Sequence, residues 1–135
     1  MPEHPNVTLV RGAYEALSRG DVPGLLAAFA GDAVLHVSAD GPLGGDHQGP
    51  EAISQMLAGL FEWTGGTVTL DVGEIFADDS HAIVSVRERA KRARDDLPLD
   101  VREVHLLRMV DGKAAEFWDI PADADREAHD LFFAD

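Results

Sequence analysis

Apolar residues recur at three- and four-residue intervals over residues 5–19. Val7, Val10, Tyr14 and Leu17 share one side while Glu15 and Arg19 fall opposite, a pattern that predicts an amphipathic helix. Gly20 ends it where a left-handed residue is wanted. Asp21 then caps a short second helix carrying Leu25, Leu26 and Phe29, with Pro23 near its first turn. Val34-Leu35-His36-Val37 reads as a short strand, and residues 39–49, with four glycines and Pro42, read as a loop. Pro50 opens a third helix in which Ile53, Leu57, Leu60 and Phe61 keep a helical period up to Gly65-Gly66. From Thr67 the period drops to two, with Val68, Leu70 and Val72 alternating against Thr67, Thr69 and Asp71. Turns at residues 78–80, 95–98 and 111–112 separate further strands over residues 81–94, 99–110 and 114–120, so four strands form an antiparallel meander. Residues 122–133 either add a short acidic helix or pack as a tail through Leu131, Phe132 and Phe133.

Helices first and long strands later predict a single α+β domain over residues 1–135, with helices covering one face of a curved antiparallel sheet. The other face carries Ile83, Phe117 and neighbours, a semi-apolar surface that predicts a homodimer. A chain of 135 residues, 45% hydrophobic and 27% charged, can bury a core without staples. It has no cysteine, which excludes disulfides, thiolate metal sites and cysteine nucleophiles. The net charge of −14 repels phosphate backbones and anionic lipid, so neither nucleic acid nor membrane is an expected partner. The first residues lack a basic segment followed by an apolar one, and no run approaches the ~18 apolar residues of a membrane span, so a cytoplasmic protein is expected.

Particular residues go further than pattern. The segments Ala13-Tyr14-Glu15-Ala16-Leu17-Ser18-Arg19-Gly20-Asp21, Phe29-Ala30-Gly31-Asp32-Ala33-Val34-Leu35-His36-Val37 and Pro42-Leu43-Gly44-Gly45-Asp46-His47-Gln48-Gly49-Pro50 resemble the opening of the SnoaL-like polyketide cyclase family. Val104-His105-Leu106-Leu107-Arg108, Asp111-Gly112-Lys113 and Glu116-Phe117-Trp118-Asp119 are similar to its last two strands. The resemblance implies a nuclear transport factor 2-like (cystatin-like) cone, related to ketosteroid isomerase, with an internal pocket and a dimer through the outer sheet face. It implies no particular reaction, because this scaffold hosts isomerases, cyclases, hydrolases and non-catalytic members.

Function therefore rests on pocket residues. On residues 81–94, Ala82, Val84, Val86, Glu88 and Ala90 share the expected core face, which makes Glu88 a desolvated carboxylate suited to acid/base work. On residues 99–110 both faces are mixed, so pattern leaves the inner face open; if inward, His105 beside Glu103 is a tuned base. Asp119 stands where the resemblance places the family's acid/base carboxylate, pointing opposite to Trp118 on a regular strand. Tyr14, inward by periodicity, is a candidate oxyanion donor. His36 is expected deep in the cone, between Trp63 and Trp118, whose indole N–H groups would be free for a ligand. His36, His47 and His105 lack ligand-pair spacing, so no metal and no cofactor are expected. Five basic residues fall within positions 87–94, and the alternating Arg87, Arg89 and Lys91 among them read as an outer-face stripe paired with acidic residues of neighbouring strands or another subunit. The expected ligand is a small apolar molecule. Two functions fit it, cofactor-independent acid/base catalysis as an isomerase, cyclase or hydrolase, and ligand binding or dimeric interaction without catalysis.

Overall fold

Pro5 at the first helical position and His4 just before it start helix α1 (Pro5–Ser18), where the His4 Nδ1 accepts the otherwise orphaned Asn6 N–H at 3.0 Å. Val7, Val10, Ala13 and Ala16 form its buried side. Gly20, at φ 73°, ends the run, and Asp21 caps α2 (Val22–Leu26) by accepting the Gly24 N–H at 2.9 Å. The computed structural model describes residues 2–135. In it the chain continues through β1 (Phe29–Val37), β2 (Gly45–Gln48), α3 (Gly49–Trp63), β3 (Thr69–Ala77), β4 (His81–Lys91), β5 (Pro98–Val110) and β6 (Lys113–Pro121). A single 3-10 turn at Asp123–Asp125 leads into α4 (Arg126–Phe133).

The strands form one curved six-stranded sheet in the order β2-β1-β6-β5-β4-β3, giving the expected mixed α+β architecture. The meander from β3 to β6 is antiparallel, as its alternation predicts. Two strands were added to it. β1 begins five residues before the predicted Val34 and runs parallel to β6, with Leu35 opposite Phe117. β2 lies inside the glycine-rich stretch read as loop, because Gly45 to Gln48 find backbone partners along Val37 to Val34.

Register assigns the faces. On β4 the buried set is Ala82, Val84, Val86, Glu88 and Ala90, without interruption. Val84 lies opposite His105 and Val86 opposite Glu103, so Val101, Glu103, His105, Leu107 and Met109 of β5 share that inner face. His105 in turn lies opposite Asp119 and Leu107 opposite Phe117, which sends Asp119 inward and Trp118 outward.

Helices α1, α3 and α4 cover the inner face. Phe132 is fully buried and Phe133 nearly so, against Leu99, Val101, Leu43, Leu60 and Trp63. Burying one such ring contributes about 2–3 kcal/mol. The ending of the chain is also tied by polar bonds: Arg92 donates to the Leu131 and Phe132 carbonyls at 3.2 Å each, and Arg94 to the Ala134 carbonyl at 3.0 Å. A Cβ at Gly41 would collide with the Phe133 carbonyl, so the loop before β2 can close over α4 only with glycine there. Arg87 and Arg89 stay on the outer face in cross-strand pairs with Asp100 and Asp71, the arrangement expected for the basic stripe. Among the described residues, no helix is long and apolar enough to cross a membrane.

Candidate functional site

A cavity of about 130 Å³ lies between the inner sheet face and the helices, walled by Val10, Leu17, Leu35, Ile53, Leu57 and Phe117 among others. Its polar end gathers Tyr14, Glu88, Glu103, His105, Asp119 and His129. Three of these form a chain. The Tyr14 hydroxyl lies 2.5 Å from His105 Nδ1, and His105 Nε2 lies 2.6 Å from Glu103 Oε1. A carboxylate oxygen only accepts, so Nε2 carries the proton; in the neutral ring Nδ1 is then an acceptor, and Tyr14 donates to it. Phe117 meets the imidazole edge-on at 4.8 Å, and Tyr14 stacks on it at 5.8 Å. The His105 and Glu103 side chains are 5% and 4% exposed, so water competes for neither bond. Glu103 Oε2 is buried with no N–H or hydroxyl donor against it among the described residues, and the Glu88 carboxyl, hydrogen-bonded to Glu103, faces it instead.

Asp119 is held differently. Its Oδ1 accepts the Ser38 N–H at 2.6 Å, and its Oδ2 lies 3.7 Å from His129 Nε2. His129 comes from α4, where its Nδ1 lies 3.3 Å from Asp130 Oδ1. These surroundings separate the two acids. Desolvation pushes the Glu88 carboxyl well above the usual carboxylate range, and the nearby Glu103 and Asp119 push it the same way. Burial also works against the Asp119 charge, but His129, the Ser38 N–H and His105 outweigh it and hold that carboxyl below the usual range. Burial opposes the His129 charge too, and Asp119, Asp130 and Glu103 outweigh it to raise the imidazole. Tyr14 is pushed up by desolvation and by Glu103, which keeps it a phenol. Glu88, Glu103 and His129 bring ligand-type atoms within 4.8 Å of one another, the place in the cavity where a cation could be held.

The SnoaL-like domain model matches residues 10–117, four fifths of the chain. The chain belongs to the SnoaL-like family. An uncharacterised protein of Mycobacterium tuberculosis is 29% identical over 126 residues, 90% of this chain and 95% of that one. The structure of Bal32a, from a soil-derived mobile gene cassette, superposes with a TM-score of 0.86 at 28% identity, covering 96% of each chain. A nuclear transport factor 2-like protein of unknown function from Burkholderia pseudomallei gives a TM-score of 0.79 at 25% identity, over 93% of this chain and 97% of that one.

In this SnoaL-like protein the cavity brings together Tyr14, Glu88, Glu103, His105 and Asp119 from the residues singled out in the sequence. It does not include His36, Trp63 or Trp118. Ala33 and Leu35 of β1 fill the interior, so the alternation turns His36 outward, where Nδ1 and Nε2 face Asp46 and Glu116 at 2.8 Å each. Trp118 is on that same outer face, stacked on His36 at 5.0 Å beside an open groove with Leu106 and Ile120. The Trp63 indole N–H is not free; it donates to the Phe132 carbonyl at 3.0 Å, with Arg94 lying over the ring at 5.0 Å. The pattern reading also passed over His129. Its signal was the spacing of His129, Phe132 and Phe133, one helical face in a segment otherwise marked by its acidic residues.

Proposed function

We propose that the cavity carries out cofactor-free acid–base chemistry on a small apolar carbonyl compound, of the kind an isomerase or cyclase performs, with Asp119 as base and Glu88 as acid. The observation that supports this most is the opposed environment of two carboxyl groups facing one apolar cavity, one held ionised and the other held protonated. Asp119 takes a proton from the carbon beside the carbonyl, and the electron pair of the broken C–H bond moves into an enolate. Glu88 returns a proton to the enolate at oxygen or at a conjugated carbon. The proton left on Asp119 passes back to Glu88 through water admitted as product leaves, so nothing is oxidised or reduced. Tyr14, whose hydroxyl donates to His105 Nδ1 at the polar end of the cavity, serves the substrate oxygen by turning that O–H from the ring nitrogen to the developing oxyanion.

The test is exchange of the α-protons of 2-tetralone in deuterated water, followed by NMR. The wild-type chain should outpace buffer, Asp119→Asn should lose about 100-fold or more, and Glu88→Gln less. A wild-type rate equal to that of buffer, or a fully active Asp119→Asn, overturns the catalytic reading. Tight binding of 2-tetralone with no exchange would make the same cavity that of a ligand carrier.

A further inference from the structure

The ionisable groups of the cavity stand towards one end of it, and the other end is hydrocarbon. Glu88, Glu103, Asp119 and His129 gather where the sheet meets α4, while Leu17, Leu25, Ala28, Phe29 and Ala114 line the opposite end. Two elements measure the distance between the ends. On β6 the lining runs from Ala114 to Asp119, five steps of about 3.3 Å, or about 16 Å, less what the bulge beside Ala114 takes up. On α3 it runs from Ile53 to Leu60, seven steps of about 1.5 Å, or about 10 Å. Ile53 packs with Leu25 and Ala28, and Leu60 packs towards Phe132 of α4, so the helix spans the same two ends.

Volume then gives the width. About 130 Å³ has room for on the order of ten water-sized groups. An extended hydrocarbon chain, with single bonds of about 1.5 Å, advances about 1.3 Å per carbon, so eight to ten carbons in single file cover about 10–13 Å. Length and volume agree on the same number of groups only if the space is one chain wide. A compact ligand of that many carbons would need the volume gathered in one place, and it would leave apolar wall without contacts at one end. The far end is open because its residues are small. Ala28 is 6% and Ala114 2% exposed, and the Ala114 N–H donates to the Ala28 carbonyl at 2.9 Å, so the backbone holds the two together.

We infer that the cavity takes an unbranched carbonyl compound of about eight to ten carbons, its carbonyl at the Asp119 end and its tail laid along α3 to Ala28 and Ala114, which limit the length of the chain. This rests on the cavity that the acid–base reading uses and adds the shape of the ligand that enters it. It does not require turnover. 2-Tetralone, shorter than the cavity, fills only part of it, and a straight-chain ketone of full length outbinds it.

The experiment is a calorimetric titration of the full chain with the 2-alkanones from 2-pentanone to 2-tridecanone, and with 2-adamantanone, a cage of the same ten carbons as 2-decanone. Affinity should climb about fourfold per methylene as far as 2-nonanone or 2-decanone and then level off or fall. 2-Decanone should bind at least tenfold tighter than 2-adamantanone. Ala28→Leu, which adds three carbons at the far end, should move the levelling point down by two or three carbons and leave 2-pentanone within threefold. Should that variant unfold, the wild-type series and the two ten-carbon ketones decide alone. The inference is overturned by 2-adamantanone binding as tightly as 2-decanone, by a series that levels before 2-heptanone or rises undiminished through 2-tridecanone, or by no binding of any ketone. A levelling point unmoved in folded Ala28→Leu overturns it as well. Deuterium exchange into 2-tetralone is read separately. Exchange together with a preference for the cage keeps the acid–base reading and loses this inference; a chain-length limit near 2-decanone without exchange does the reverse.

Discussion

His105 and His36 stand on opposite faces of the same sheet, each against a carboxylate and each packed on an aromatic ring. His105 has one carboxylate at 2.6 Å, a phenol at 2.5 Å and a side chain 5% exposed. His36 has two carboxylates at 2.8 Å and is 27% exposed. The difference lies in what the second nitrogen meets. Two carboxylates ask for two N–H groups, so Glu116 first, with Asp46, outweighs the desolvation that opposes the charge, raises the His36 pKa and favours the imidazolium. A carboxylate and a hydroxyl are satisfied by the neutral ring, with Nε2 donating to Glu103 and Nδ1 accepting from Tyr14. One histidine makes a surface ion cluster; the other makes a relay.

The sharpest way to break this comparison is to remove the buried ring. His105→Ala takes the ring N–H from the Glu103 carboxylate and the acceptor from the Tyr14 hydroxyl, and it opens a gap beside Phe117. Taking the ring N–H from a buried carboxylate and leaving a cavity beside it together cost about 3–5 kcal/mol, and urea unfolding at pH 7 should show a loss of that size. A loss under about 1 kcal/mol would mean that water reaches Glu103 and that the relay is not sealed.

Glu88 tests the same interior through pH. Its folded pKa lies above the ordinary 4.5, so the folded chain keeps a proton that the unfolded chain gives up as pH rises past that value. The stability that goes with this proton is full below pH 4.5 and is lost as pH climbs toward the folded pKa. Glu88→Gln cannot ionise in either state and escapes the loss. It should melt close to wild type near pH 4 and above it at pH 7, by on the order of 1–3 kcal/mol, or several degrees. A variant less stable than wild type at pH 7 and equal to it at pH 4 would reverse the sign and place a charged Glu88 in a favourable field.

How far the sequence could be read follows the same division. β4 was legible because its outer residues apart from Ile83 are polar and its inner ones apolar, which left Glu88 visible as the exception. β5 was not, since Glu103 and His105 occupy inward positions that a core strand would fill with valine or leucine; the site removed the pattern that would have located it. The face of Asp119 is set by pairing with His105 across β5, a register that no single strand records. His36 was misplaced for a related reason. β1 marks its interior side with Ala33, Leu35 and Val37, but Val34 is apolar on the other side, and the pairing with β6 decides between them. His129 reaches the cavity from the far end of the chain, on a helix too short for its period to stand out against its acidic residues.

The smallest effect should come from the outer histidine, and its size tells what covers that face. The His36 pKa is raised in the folded chain, so its stabilising contribution is complete below the ordinary 6.5 and disappears as pH rises through the folded value. His36→Ala should therefore cost most near pH 6, by less than about 1 kcal/mol, and nothing measurable near pH 9. Raising the salt to 1 M should shrink the loss at pH 6, because partly exposed charges are screened. Urea midpoints at two pH values and two salt concentrations are enough to see this. A loss as large as that of His105→Ala, and indifferent to salt, would mean that His36, Trp118 and the apolar row of Ile83 and Phe76 beyond them are not facing water at all. A second copy of the chain seated on the outer face would produce that result, and the protein-concentration dependence of the midpoint would identify it.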